Sequence, residues 1–158
     1  MKAIRHMALA AATGALALAG TMATAGTAQA AYDPTSHSIW DDEPLYAGWH
    51  VDSYTTRLIM QADGDLVIYQ DFNTASPKVP FRSGTTNCGY KTVMQSDGNL
   101  VVYSASGGVC WALGTDGHPH AKLVVNDSGA VGVTWGSGRL PRANTGDPYS
   151  RFLSSDLY

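Results

Sequence analysis

Leu58-Ile59-Met60-Gln61-Ala62-Asp63-Gly64-Asp65-Leu66-Val67-Ile68-Tyr69 returns further along the chain as Thr92-Val93-Met94-Gln95-Ser96-Asp97-Gly98-Asn99-Leu100-Val101-Val102-Tyr103, with Gln95 in the place of Gln61. A weaker third copy follows at a similar spacing, as Leu123-Val124-Val125-Asn126-Asp127-Ser128-Gly129-Ala130-Val131-Gly132-Val133. Self-similarity at a fixed short period marks a fold assembled from repeated supersecondary units, each too small to bury its apolar face alone. In the first two copies β-branched and aromatic residues flank an Asp-Gly pair, the strongest short-range signal for a β-hairpin. No sustained helical period occurs beyond Ala30, and the 17 glycines and 7 prolines mostly punctuate strands. The chain therefore reads as all-β, with three hairpin-based sheets around a shared core.

The turn fixes which side chains share a face. If Ala62-Asp63-Gly64 is a three-residue loop with Gly64 in the left-handed conformation, Gln61 faces Asp65 across the hairpin. Gln61, Asp65, Val67 and Tyr69 then lie on one face, and Leu66 and Ile68 point into the core. The second copy repeats this with Gln95, Asn99, Val101 and Tyr103 over Leu100 and Val102. A two-residue turn would move the glutamine to the other face and scatter the polar set.

Gln95-x-Asp97-x-Asn99-x-Val101-x-Tyr103 matches, at every defined position, the signature of the bulb-type (monocot) mannose-binding lectins. The resemblance extends over roughly residues 45–138. Leu45-Tyr46-Ala47-Gly48 is similar to the opening of the family's domain. Phe81-Arg82-Ser83 and Cys110-Trp111-Ala112 stand where the family places an aromatic residue followed by small polar ones. The resemblance implies a β-prism II fold of three four-stranded sheets with a pseudo-three-fold repeat. It also implies a ligand, mannose or a mannose-containing glycan, held on the strand faces. By that resemblance Asp97 and Asn99 hold the axial 2-hydroxyl, Gln95 the 3-hydroxyl and Tyr103 the 4-hydroxyl, while Val101 packs against ring carbons.

The residue chemistry suits this. A hexopyranose has hydroxyls that donate and accept, beside apolar C–H patches. Gln95 and Asn99 do both, Asp97 accepts and Tyr103 supplies a hydroxyl. Four net hydrogen bonds of about 1 kcal/mol each, set against association costs, predict millimolar or weaker affinity per site. Useful avidity then requires several sites. In the first copy the corresponding set is Gln61, Asp63, Asp65, Val67 and Tyr69. Asp65 replaces the asparagine and removes an N–H donor, which weakens that site. In the third copy, aligned with Val125 against Gln95, the residues Val125, Gly129 and Val133 replace glutamine, asparagine and tyrosine, so only Asp127 survives. That copy reads as a structural repeat that completes the core.

Lys2, Arg5 and His6 precede an apolar run from Met7 to Gly20, and a small-residue stretch ends in Ala28-Gln29-Ala30. This is the layout of a secretory signal cleaved before Ala31, which predicts a secreted, extracellular protein with no membrane insertion. The expected organisation is a signal over 1–30, a lead-in over 31–44, the lectin domain over 45–138 and a segment over 139–158. That last segment is either a tail or a strand exchanged within a homodimer. Cleavage leaves 31–158 and takes the net charge from −3 to −5, because Lys2 and Arg5 depart. One core fits that length, and no basic patch points to nucleic acid. Cys88 and Cys110 are the only cysteines. In an exported chain they favour one disulfide over two buried thiols.

Catalytic signatures are absent: there is no Gly-x-Ser-x-Gly elbow, no His-Glu-x-x-His and no phosphate loop. No enzyme activity, cofactor or metal is expected. His118-Pro119-His120 reads as a solvated turn rather than a zinc site, and Asp63-Gly64-Asp65 lacks the further oxygens that calcium requires. Asp41-Asp42-Glu43 reads as a solvated acidic face. Trp40, Trp49, Trp111 and Trp135 read as core packing. The rival reading is a toxin or inhibitor on a lectin scaffold, acting on a protein or cell-envelope target. Its mark would be binding that free mannose does not compete away.

Overall fold

The computed structural model describes residues 37–127, 129–136 and 150–154, so the signal segment lies outside the described residues. Among the described residues twelve strands run in chain order: β1 (Ser38–Ile39), β2 (Pro44–Tyr46), β3 (His50–Asp52), β4 (Thr56–Met60), β5 (Leu66–Gln70), β6 (Lys78–Arg82), β7 (Lys91–Met94), β8 (Leu100–Tyr103), β9 (Val109–Ala112), β10 (Lys122–Val125), β11 (Val131–Thr134) and β12 (Ser150–Ser154). They form three four-stranded sheets with orders β3-β4-β5-β6, β2-β7-β8-β9 and β1-β10-β11-β12. Each repeat supplies the central hairpin of one sheet and the strand that follows it. The short N-terminal strands are dealt out one to each sheet, so the stretch from Ser38 to Asp52 ties all three together.

Period-two alternation makes these strands. Along β4, Thr56, Leu58 and Met60 are buried, while Arg57 and Ile59 are partly exposed. The inward residues of the three hairpins, among them Leu58, Ile68, Met94, Val102, Leu123 and Val133, join in one apolar cluster. Phe81 and Trp111, the aromatic residues of the two similar tripeptides, meet edge to face at 5.7 Å and pack against that cluster. Three of the tryptophans, Trp49, Trp111 and Trp135, are core packing as expected, whereas Trp40 is exposed.

Both expected hairpin turns form in the expected register. Met60 pairs with Leu66 and Met94 with Leu100. The Gln61 N–H donates to the Asp65 carbonyl at 2.8 Å and the Gln95 N–H to the Asn99 carbonyl at 2.9 Å. Gly64 and Gly98 have φ of 93° and 92°, a region that glycine enters without steric cost. They are also tightly approached. A Cβ on Gly64 would meet the Gly89 backbone, and one on Gly98 would run into the His118 carbonyl.

Each turn is held by a segment that belongs to, or leads into, the next sheet. Asn87 N–H donates to the Asp63 carbonyl at 2.7 Å, and His118 N–H to the Asp97 carbonyl at 3.0 Å. Tyr54 N–H donates to the Asp127 carboxylate at 3.0 Å. These three contacts run round the prism and close it. Cys88, in the segment over the first turn, is disulfide-bonded to Cys110 on β9 with Cα atoms 5.9 Å apart.

Two expectations need correction. The third copy is shifted by one position, because Gly129, at φ 101°, is its turn glycine and aligns with Gly98. Asn126, not Val125, is therefore the counterpart of Gln95. Val125 pairs with Val131, and Asn126 N–H donates to the Ala130 carbonyl at 2.8 Å. The motif positions there are Asn126, Ser128, Ala130, Gly132 and Thr134, not Val125, Asp127, Gly129, Val131 and Val133; Ser128 lies outside the described residues. The one polar residue credited to the motif, Asp127, instead takes the place of Ser96. The bounds 45–138 are also too narrow. β1 precedes them, and β12 lies within the expected tail yet pairs antiparallel with β11 of its own chain.

Candidate functional site

Strand alternation puts Val93, Val101 and Tyr103 on the outer face of the β2-β7-β8-β9 sheet, and the turn adds Gln95, Asp97 and Asn99 beside them. All the predicted residues of the second copy thus converge. Asp97 Oδ1 accepts the Asn99 backbone N–H at 2.9 Å, an Asx-type contact that stiffens the turn. Asn99 Oδ1 accepts the N–H groups of Gly114 and Thr115 at 3.0 and 3.1 Å. With its oxygen held this way, the Asn99 amide presents its two N–H donors elsewhere. Gln95 Nε2 donates to the Tyr103 hydroxyl at 2.6 Å. The phenol keeps its own proton to give, and the Gln95 carbonyl oxygen remains an acceptor. Val101, buried under this set, supplies an apolar floor. The result is a shallow surface with fixed donors and acceptors, suited to a polyol.

The first copy repeats the frame. Gln61 Nε2 donates to the Tyr69 hydroxyl at 2.8 Å and Asp63 Oδ1 accepts the Asp65 N–H at 3.1 Å, with Val67 buried below. Asp65 does the structural work of Asn99. Its Oδ1 accepts from Ser83 Oγ at 2.9 Å, Gly84 N–H at 2.8 Å and Thr85 N–H at 3.1 Å. Its other oxygen, where Asn99 carries N–H donors, lies 3.5 Å from Arg82 Nη1. Arg82 stands at the position of Ala112, facing Val67 as Ala112 faces Val101. Asp65 and Arg82 therefore change together relative to Asn99 and Ala112, a pairing that reading the motif alone missed. The third copy brings Ala130 and Gly132 to the face where the second copy has Asn99 and Val101.

A basic residue stands opposite the motif tyrosine, or its substitute, in every copy: Arg57 opposite Tyr69, Lys91 opposite Tyr103 and Lys122 opposite Thr134. Arg57 makes a two-pronged bond to Asp52, at 2.8 and 2.6 Å, and lies 4.5 Å from the Phe72 ring centre. Hydrogen bonding to Asp52 raises its pKa above the ordinary value; partial burial opposes this and the Asp52 charge adds to it.

Among the described residues no cluster of three or more His, Cys, Asp or Glu could hold a metal, and no helix is long and apolar enough to cross a membrane. His118 stacks on Trp135 at 3.8 Å, while His120 bonds Asp41 at 2.9 Å, so the two histidines serve different partners.

No protein-family model matches the chain, and neither does any curated protein. Solved structures do. A lectin from Allium sativum is 32% identical with a TM-score of 0.53, covering 66% of this chain and 97% of its own. The Polygonatum cyrtonema lectin, solved with a monomannoside, is 28% identical over 70% of this chain and 97% of its own, with a TM-score of 0.54. The mannose-specific agglutinin of snowdrop (Galanthus nivalis), solved with methyl-α-D-mannoside, is 26% identical over 68% of this chain and 95% of its own, with a TM-score of 0.55. Fold and neighbours define a carbohydrate-binding β-prism lectin rather than an enzyme. The chain belongs to the bulb-type (monocot) mannose-binding lectin family.

Proposed function

We propose that the protein is a secreted lectin that binds mannose or mannose-containing glycans, chiefly through Gln95, Asp97, Asn99, Val101 and Tyr103. The observation that carries this reading is the fixing of Asn99: two backbone N–H groups hold its oxygen and leave its amide donors available beside the Asp97 carboxylate. A hydroxyl placed there can accept from Asn99 and donate to Asp97, the arrangement that suits an axial 2-hydroxyl. Gln61, Asp63, Asp65, Val67 and Tyr69 form a second, weaker site, because Asp65 offers an acceptor where Asn99 offers donors. The two relatives solved with mannosides support the choice of sugar.

Secretion is supported by the basic, apolar and Ala28-Gln29-Ala30 segments at the start of the chain, and by the Cys88–Cys110 disulfide, which suits an oxidising compartment. Calorimetric titration with a branched oligomannoside tests the sugar reading. The wild type should release heat, and Asn99→Asp and Tyr103→Phe should each remove most of it. A folded wild type with no heat at millimolar sugar would sink the proposal. Intact mass of the exported protein should correspond to a chain beginning at Ala31.

A further inference from the structure

On the outer face of the second-copy sheet, Tyr46, Lys91 and Tyr103 lie in one row, paired in turn across β2, β7 and β8. Tyr103 directs its hydroxyl toward Gln95 at the turn. Lys91 extends the face away from the turn, its Nζ 6.0 Å from the Tyr103 ring centre. Tyr46 adjoins it and meets Tyr90 edge to face at 5.6 Å and Trp49 at 5.0 Å. Tyr90 is exposed. Lys91 thus continues the face directly from the motif tyrosine, with Tyr46 its neighbour across the β2–β7 pairing.

The repeat supplies its own control. In the first copy the equivalent cation, Arg57, is neutralised by Asp52 at 2.6 Å. In the third, Lys122 lies 4.8 Å from the Trp40 ring centre, beside a face without the motif. Among the described residues no carboxylate pairs with Lys91, and its distance from Tyr103 is at the outer limit of a cation–π contact. Its charge is uncommitted next to the one intact motif.

We propose that the second-copy site extends through Lys91 and Tyr46 to recognise mannose bearing an anionic oxygen group at C6, a phosphate ester or a carboxylate. This rests on the mannose reading above, in which Tyr103 meets the 4-hydroxyl and so leaves the neighbouring C6 substituent toward Lys91. The ammonium donates to the anion beside the Tyr103 ring.

The test is calorimetric titration of the full protein, in low salt, with methyl α-mannoside, mannose 6-phosphate and mannuronate. At least one anionic sugar should bind about fivefold more tightly than the neutral one, the scale of an exposed ion pair. The gain should shrink at high salt, and Lys91→Gln should bring the anionic sugars down to the neutral one. A gain for mannose 6-phosphate alone identifies the group as phosphoryl; a gain for both identifies any C6 anion. Equal affinity for all three sugars, or a preference that survives in Lys91→Gln, overturns the inference while the mannose reading stands. No heat from any sugar overturns both.

Discussion

Asp65→Ala and Asp65→Asn separate the structural use of this carboxylate from its charge. Asp65 is 2% exposed, and one of its oxygens accepts three hydrogen bonds, from Ser83, Gly84 and Thr85. Alanine leaves these donors without that acceptor. Ser83 can turn to Thr85 Oγ1, 2.7 Å away, and Gly84 is exposed enough to meet water, but the Thr85 N–H is buried. One fully orphaned buried donor costs about 1–3 kcal/mol, and with the partial losses at the other two the total comes to about 3 kcal/mol. Asparagine keeps the accepting oxygen, as Asn99 does in the second copy, and gives up only the long contact with half-exposed Arg82. That contact is worth about 1 kcal/mol or less. Urea unfolding followed by tryptophan fluorescence reads the difference. With a slope of about 1.5 kcal/mol per molar urea, the midpoint should fall by about 2 M for Asp65→Ala and by well under about 1 M for Asp65→Asn. Equal losses for the two variants, or no loss for Asp65→Ala, would refute the argument.

Asp65→Asn also restores the full motif in the first copy, so mannoside affinity at that copy, read by calorimetric titration, should rise, further still when Arg82→Ala accompanies it. Gly98→Ala forces a Cβ against the His118 carbonyl at positive φ and should destabilise by more than about 2 kcal/mol, whereas Gly107, also at positive φ but with open space around it, should cost only about 1 kcal/mol when changed to alanine. Thermal denaturation of the pair checks this. Removing the Cys88–Cys110 bond, which spans a sequence separation of 22, should cost about 3 kcal/mol in the chain-entropy model. Chemical denaturation of the double Cys→Ser variant measures it.

Most of the fold was legible because two of its three hairpins carry the same turn chemistry. Asp63-Gly64 and Asp97-Gly98 fix loop length, loop length fixes register, and register assigns every side chain to a face. The third hairpin was misaligned by one position because Asp127 imitates a motif aspartate, while the residue that governs the turn is Gly129. The turn glycine, not the carboxylate, marks Asn126 as the counterpart of Gln95. Strands β1 and β12 were hidden for a different reason. Ser38–Ile39 is too short to show alternation, and Ser150–Ser154 is flanked by proline-containing and polar sequence; both gain their identity from pairing with β10 and β11. At the site, the motif residues were readable, but their partners were not. Ser83, Gly84 and Thr85 reach Asp65 from well beyond the hairpin, and Arg82 is set beside it only by the β5–β6 pairing.

Mannoside binding at the second copy is read most directly by titrating isotope-labelled protein with methyl α-mannoside and following the amide chemical shifts. The largest shifts should fall at the Asn99 side-chain NH2 and along the backbone from Gln95 to Tyr103. Smaller shifts, at higher sugar, should appear from Gln61 to Tyr69, with none from Asn126 to Thr134. Shifts centred on the third copy, or no saturable shifts at any copy up to tens of millimolar sugar, would contradict the assignment of the site.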